Sequence, residues 1–129
     1  MTRADEEVLQ ICDEIRQICF DIHKYLGPGF LEKIYENALK HRLSKADYKV
    51  DTQVRFSIQD EDGAAIGEHF ADLVIDNFLI IEIKACKTLA DEHLAQIFGY
   101  LRAARLEHGM LVNFGGERLQ IRKFVWSKK

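Results

Sequence analysis

The spacing of hydrophobic residues predicts two helices at the start of the chain. Apolar side chains recur every three or four residues before Gly27-Pro28-Gly29, which is the period of an amphipathic helix. They are Val8, Ile11, Ile15, Ile18, Ile22 and Tyr25, with Cys12, Cys19 and Leu26 beside them. A second stripe, formed by Leu31, Ile34, Tyr35, Ala38, Leu39 and Leu43, predicts a helix from about Phe30 to Lys45. The Gly-Pro-Gly segment breaks the helical pattern between them. The first stripe either packs on the domain's own core, which we prefer, or forms the seam of a homodimer.

After the second helix, the pattern changes to the alternation typical of strands. The predicted strands run from Val50 to Ile58, from Ala65 to Ile75, from Phe78 to Lys84, from Met110 to Phe114 and from Leu119 to Trp126. The third is almost entirely apolar and is therefore predicted to be central. Thr88 is expected to cap a helix that buries Leu94, Ile97, Phe98 and Leu101. This helix would cross over between the third and fourth strands, so the order predicts an α/β sandwich with a mixed sheet of about five strands.

Length and composition limit the interpretation further. The 129 residues suffice for one domain, with an N-terminal helix over 1–26 and a core over 29–126. The formal charge of −3 gives no overall positive field, so any surface that binds nucleic acid must be local. Positive charge is concentrated at Arg118, Arg122, Lys123, Lys128 and Lys129, which we interpret as a solvated strand edge and tail.

The cysteines and the N-terminus predict a cytoplasmic protein. Cys12, Cys19 and Cys86 form no metal or redox motif and are expected to be free thiols, as in a reducing compartment. The N-terminus lacks the apolar run of a signal peptide. No apolar stretch approaches the ~20 residues that span a bilayer, so no membrane association is expected.

Charged residues in the apolar third strand are the main chemical signal. Glu82 and Lys84 are two residues apart and therefore point to the same face. They form either an ion pair at the solvent end of the strand or part of a binding site, because buried charge must be paired or bound to a metal.

Asp72 favours the binding site. A two-residue loop after Ile75 would pair Asp72 with Ile81 and put it on the face opposite Glu82. A three-residue loop would pair Asp72 with Glu82, and we predict this loop or an equivalent bulge because Asn77 tolerates left-handed backbone. Two opposed carboxylates repel each other unless a cation lies between them. Oxygen ligands favour Mg²⁺ or Mn²⁺.

These residues resemble the PD-(D/E)XK nuclease signature. The chain also resembles the GxxExxY family of small proteins over roughly residues 18 to 126. The resemblance rests on Gly29-Phe30-Leu31-Glu32-Lys33-Ile34-Tyr35, Asp72, the Ile81-Glu82-Ile83-Lys84 segment, His93-Leu94-Ala95-Gln96 and Leu111-Val112-Asn113-Phe114-Gly115. Ala71 replaces the proline that gives the motif its first letter. The resemblance implies a nuclease-like sandwich around a mixed sheet.

The resemblance also implies roles for individual residues. Asp72, Glu82 and the Ile83 carbonyl would hold the metal ion. Lys84 would orient the attacking water or stabilise negative charge on the phosphate. Glu32 would match the acidic residue that many members carry on their first core helix. Gln96 and Tyr100 match a QxxxY motif of the RecB-like and phage exonuclease branch.

The helical period gives separate support for the last group. His93, Gln96 and Tyr100 share one helix face and are predicted to form a polar wall beside the metal. Alternatively, His93 is a surface residue, Tyr100 belongs to the core, and Glu32 is an exposed first-turn residue that favours the helix dipole.

The leading hypothesis is therefore a Mg²⁺-dependent nuclease that hydrolyses phosphodiester bonds of DNA or RNA. One alternative is a catalytically silent interaction or regulatory module with the same fold, either monomeric or dimeric. Another is an enzyme that acts on a small nucleotide or a different phosphate ester, although the chain has no glycine-rich phosphate loop.

Overall fold

The computed structural model describes residues 4–127 and contains three helices and five strands within them. Their bounds are α1 Asp5–Leu26, α2 Glu32–Lys45, β1 Val50–Gln59, β2 Ala65–Ile75, β3 Leu79–Lys84, α3 Asp91–Ala104, β4 His108–Asn113 and β5 Gln120–Val125. The predicted order of elements is confirmed. Lys128 and Lys129, part of the predicted basic tail, lie outside the described residues.

The sheet follows the chain order β1-β2-β3-β4-β5. The pairs β1/β2, β2/β3 and β4/β5 are antiparallel, whereas β3 and β4 are parallel. The parallel pair requires a crossover, which α3 provides. The sheet is therefore mixed and β3 is its central strand, as the apolar sequence of β3 predicts.

Side chains on the two faces of the sheet pack against different helices. The larger core cluster joins α1 and α2 to one face, through residues such as Ile15, Leu39, Leu73 and Ile81. The smaller cluster joins Leu101 of α3 to the other face, where Ala71, Val74 and Ile80 lie. The result is an α/β sandwich with helices on both faces of the sheet.

The apolar stripe of α1 packs within the domain, which is the preferred of the two predicted uses. Val8, Ile11, Cys12, Ile15, Cys19 and Ile22 are all buried. The spacing also assigns Tyr25 to this stripe, but that assignment is wrong because Tyr25 is 80% exposed. It lies in the last turn before Gly27, whose φ of +71° ends the helix. Cys12, Cys19 and Cys86 are free cysteines, as predicted.

The loop between β2 and β3 has the predicted odd length. Ile75 pairs with Leu79, so Asp76, Asn77 and Phe78 form a three-residue loop. Asp76 and Asn77 both have positive φ, at 48° and 60°. The left-handed conformation expected at Asn77 is therefore confirmed, and it extends to the neighbouring aspartate.

Two predicted helix starts are wrong. α2 begins at Glu32, because Phe30 and Leu31 remain in the extended connection and are exposed. α3 begins at Asp91, so Thr88 does not cap it. Instead the backbone N–H of Ala90 donates to His93 Nδ1 over 3.0 Å. Over residues 4–127, no helix combines the length and the apolar character that crossing a bilayer requires.

Candidate active site

The two predicted acidic residues lie where strands β2 and β3 separate. Their ladder contains Ile75–Leu79, Val74–Ile80 and Leu73–Ile81, and it stops one pair short of Asp72 and Glu82. From there β2 continues along β1, while β3 continues along β4 as far as Lys84. The strands thus form a fork, and the side chains at its base belong to Asp72 and Glu82.

The carboxyl groups of Asp72 and Glu82 are close enough for the charge of Asp72 to raise the pKa of Glu82. Asp72 Oδ2 also accepts a 2.8 Å hydrogen bond from the backbone N–H of Ile83, which fixes Asp72 across the fork. The Glu82 side chain is only 7% exposed. Burial, together with the Asp72 carboxylate, raises the pKa of Glu82 to about 7, although His69 acts in the opposite direction. The charged form of Glu82 is therefore disfavoured in this site.

His69 and Tyr100 form the wall of the fork on the α3 side. His69 Nε2 lies 2.6 Å from Glu82 Oε1, a hydrogen bond whose proton position depends on the tautomer. The ring of His69 stacks on Tyr100 with centroids 3.3 Å apart and planes 8° from parallel. Burial, followed by the charges of Glu82 and Asp72, raises the pKa of Tyr100. Tyr100 is therefore close enough to both acids to respond to their charge.

A second buried acid reaches the fork through Gln53. Glu36 of α2 is 4% exposed, and its Oε1 accepts a 2.8 Å hydrogen bond from Gln53 Nε2. The same amide lies 3.3 Å from Asp72 Oδ1. Lys33 Nζ contacts the other oxygen of Glu36 at 2.6 Å. Gln53 therefore connects two carboxylates that belong to different layers of the molecule.

The backbone of Gln53 is distorted where it serves this connection. The β1–β2 ladder contains Thr52–Leu73 and Val54–Ala71 but omits the intervening pair of Gln53 and Asp72. Gln53 has φ of +49°, a conformation that residues other than glycine adopt at an energetic cost. Such outliers concentrate at functional sites, so the distortion supports a role for Gln53 in positioning Asp72.

Lys84 lies at the end of β3, two residues beyond Glu82 and thus on the same face. Its side chain is half-buried. Among residues 4–127 its ammonium group has no ion pair or hydrogen bond. The predicted alternative of an ion pair between Glu82 and Lys84 is therefore not formed, and the amine is available for another negatively charged group.

The other predicted site residues occupy different surroundings. Glu32 is exposed in the first turn of α2, where a negative charge favours the helix dipole. His93 uses Nδ1 to accept from the backbone at the start of α3. Gln96 is exposed and makes no hydrogen bond to either acid in the part of the chain that is described. Of the predicted polar wall, the structure brings Tyr100 to the fork.

Sequence reasoning missed Glu36, Gln53 and His69. The signal for Glu36 is its position: Leu39 and Leu43 follow it by three and seven residues, so it shares their buried helix face. Gln53 lies opposite Asp72 in the β1–β2 register, but only the structure reveals that register. No local pattern distinguishes His69 from any polar residue on an exposed strand.

The two acids fit a hard divalent cation better than any softer metal ion. Carboxylate oxygens from Asp72 and Glu82 are ligands of the type that Mg²⁺ prefers, and Mg²⁺ is commonly held by one or two carboxylates together with water and phosphate. Within residues 4–127 no three acidic, histidine or cysteine side chains converge as a complete set of metal ligands. Asp72 and Glu82 thus offer two carboxylates, without a third side chain of these types to complete the set in the described part of the chain.

Comparison with known proteins supports the α/β fold. A model of the PD-(D/E)XK nuclease superfamily matches residues 9–124. The fold is similar to the crystal structure of SSO0001, with a TM-score of 0.61 and 21% sequence identity. The match covers 75% of this chain and 50% of that chain, so this chain spans about half the length of its structural neighbour. No curated protein matches.

Proposed function

Because the chain belongs to the PD-(D/E)XK nuclease superfamily, we propose that it is a metal-dependent nuclease that hydrolyses phosphodiester bonds of nucleic acids at the β2–β3 fork. The observation that carries the proposal is the convergence of Asp72 and Glu82 at the fork, where the Glu82 side chain is 7% exposed and its pKa responds to the charge of Asp72. Such an arrangement is unfavourable without positive charge between the acids. Within the superfamily, the Gly29–Tyr35 motif supports membership of the GxxExxY family.

The proposed metal ligands are Asp72, Glu82 and the carbonyl oxygen of Ile83. Mg²⁺ or Mn²⁺ bound here would polarise the phosphate and lower the pKa of a water molecule. The hydrogen bond from the Ile83 N–H holds the Asp72 carboxylate against β3, and His69 bonds to Glu82, so both acids are oriented before any ligand arrives. Preorganisation of this kind is a large part of catalytic efficiency.

Lys84 has the role of stabilising the negative charge that develops on the phosphate. Its ammonium is on the same face as Glu82 and is free of an ion pair within residues 4–127. A cation aimed at developing charge in a partly dry site is worth more than the same cation in water. His69 bonds to Glu82, and Tyr100 stacks on His69 from the α3 side, so we assign both residues to positioning Glu82.

The family resemblance implies an acidic residue on the first core helix, and we propose that this residue is Glu36. It is buried and shares the amide of Gln53 with Asp72, whereas Glu32 is exposed. The contact acts on the orientation of Asp72 through Gln53. Residues that orient metal-binding carboxylates commonly affect activity tenfold to a hundredfold.

Cleavage of labelled oligonucleotides tests the proposal. Single-stranded DNA, duplex DNA and single-stranded RNA are each incubated with the protein and either Mg²⁺, Mn²⁺ or EDTA. We expect cleavage that requires the cation and falls by about a hundredfold or more in Asp72→Asn and in Lys84→Ala. Asp21→Asn and Lys45→Ala are matched controls, because both positions are exposed on helices α1 and α2.

Two results would contradict a nuclease. One is a folded protein that cleaves none of the three substrates with either cation. The other is cleavage that survives in Asp72→Asn, which would indicate a contaminating enzyme. A folded protein that neither binds the cation nor cleaves would instead support the silent interaction module.

A further inference from the structure

A positively charged groove lies beside strand β5. It has a volume of about 610 Å³ and is formed by residues 87–88 and 116–122. Three exposed basic side chains line it, those of Lys87, Arg118 and Arg122, together with one exposed acid, Glu117. We call this feature the β5 groove. Its positive charge contrasts with the formal charge of −3 for the whole chain.

The strand register connects the groove to the fork. Glu82 pairs with Leu111, and Leu111 pairs with Arg122. Residues in such a row across a sheet point to the same face, so Arg122 lies on the face of Glu82 at a distance of two strands, or about 10 Å. In the next row, Lys84, Asn113 and Gln120 are neighbours in the same way. The groove therefore begins where the face that carries the acids reaches the edge of the sheet.

Lys87 is held in the groove by the segment that follows Lys84. The backbone N–H of Cys86 donates to Asn113 Oδ1 over 3.0 Å, and that of Leu89 donates to Gln120 Oε1 over 3.2 Å. These bonds fasten the segment to the ends of β4 and β5. Lys84 and Lys87 thus stand three residues apart on one fixed segment, the first beside the acids and the second in the groove.

The basic side chains of the groove are not neutralised by the rest of the molecule. Within residues 4–127, none of Lys87, Arg118 and Arg122 takes part in an ion pair. The Arg122 side chain has one hydrogen bond, from Nη1 to the carbonyl oxygen of Ile121, at 3.4 Å. Three cations and one acid leave a net charge of +2 in the groove. Such charge is available to a polyanion.

We propose that the β5 groove binds the phosphodiester backbone of the nucleic acid strand whose scissile phosphate enters the fork. This inference rests on the proposed nuclease function. Positive side chains that track the backbone supply most of the sequence-independent affinity of nucleic-acid-binding proteins. The continuity of the groove with the face of Glu82 and Lys84 favours a polymeric substrate over a small phosphate ester, which would need no contact 10 Å from the acids.

Binding measured without cleavage tests the groove separately from catalysis. The test uses Asp72→Asn protein in EDTA and fluorescence anisotropy of three 20-nucleotide probes: single-stranded DNA, duplex DNA and single-stranded RNA. The probe that binds most tightly is then titrated with a variant that carries Lys87→Ala/Arg118→Ala/Arg122→Ala together with Asp72→Asn. We expect about a tenfold or greater loss of affinity and a salt dependence with a slope lower by about two to three.

The matched control is Lys40→Ala/Lys45→Ala/Arg102→Ala, which also removes three exposed positive charges. It should change the affinity less than threefold, and Glu117→Gln should increase it. Equal losses in the two triple variants would overturn the groove, as would the absence of binding to all three probes at 100 µM protein. Groove-dependent binding by a protein that fails the cleavage test would retain the groove and reject the nuclease.

Discussion

At the scale of single residues, two glutamates of helix α2 are candidates for the acid that supports the site. Glu36 is buried and bonded to Gln53, while Glu32 is exposed one turn earlier. We predict that Glu36→Gln lowers the cleavage rate by about tenfold to a hundredfold, because it weakens the support of Asp72. Glu32→Gln should reduce the rate much less. Initial rates of oligonucleotide cleavage measure both variants, and thermal unfolding checks that each is folded. A larger effect at Glu32 would reverse the assignment.

The residues at the fork differ in how well the sequence predicts them. Asp72, Glu82 and Lys84 are conspicuous because charge interrupts strands that are otherwise apolar. Glu36, Gln53 and His69 come from three different elements and meet only through strand register and helix docking. Gln53 also has a left-handed backbone that no propensity would assign to a strand glutamine. Long-range geometry, which local patterns do not contain, places these three.

At the scale of elements, the hydrophobic period is sufficient to predict all eight helices and strands of residues 4–127. Long stripes such as that of α1 bury a whole face and leave little ambiguity. Boundaries were harder because they depend on single hydrogen bonds. The start of α3 depends on His93, whose ring accepts a hydrogen bond from the backbone N–H of Ala90. Histidine is not among the common capping residues, to which Thr88 belongs.

The β4–β5 connection packs closely against the β3–α3 connection at Gly115, which predicts the effect of a substitution there. A β-carbon at this position would lie 2.4 Å from the backbone of Ala85 and Cys86, the segment that follows Lys84. Gly115→Ala should therefore lower the free energy of unfolding by about 1–3 kcal/mol, as forced overpacking does. Gly67→Ala is the matched control: a β-carbon there meets nothing within 4 Å, so stability should change by less than about 0.5 kcal/mol. Urea unfolding measures both, and equal stabilities would contradict the packing argument.

At the scale of the whole molecule, the acid pair couples the site to the stability of the fold. Burial raises the pKa of Glu82 from 4.5 to about 7 in the folded protein. The folded state thus holds the Glu82 proton more tightly than the unfolded state. Its stabilising contribution is complete below about pH 4.5 and is lost as pH rises through about 7. At pH 8 Glu82 is ionised beside Asp72, and a bound cation has the greatest repulsion to relieve.

We therefore predict that divalent cations stabilise the entire domain, and more strongly at pH 8 than at pH 5.5. At ten times its dissociation constant, Mn²⁺ or Mg²⁺ should add about 1.4 kcal/mol and raise the melting temperature by about 5 °C at pH 8. At pH 5.5 protons compete at Glu82, so the shift should be smaller.

Asp72→Asn should be more stable than the parent in EDTA at pH 8, because it removes one of two opposed charges, and it should no longer respond to the cation. Differential scanning calorimetry of both proteins, with Asp21→Asn as the control, measures the shifts. An equal shift in the parent and in Asp72→Asn would place the cation elsewhere. An unchanged melting temperature of the parent on addition of cation would contradict a metal site at Asp72 and Glu82.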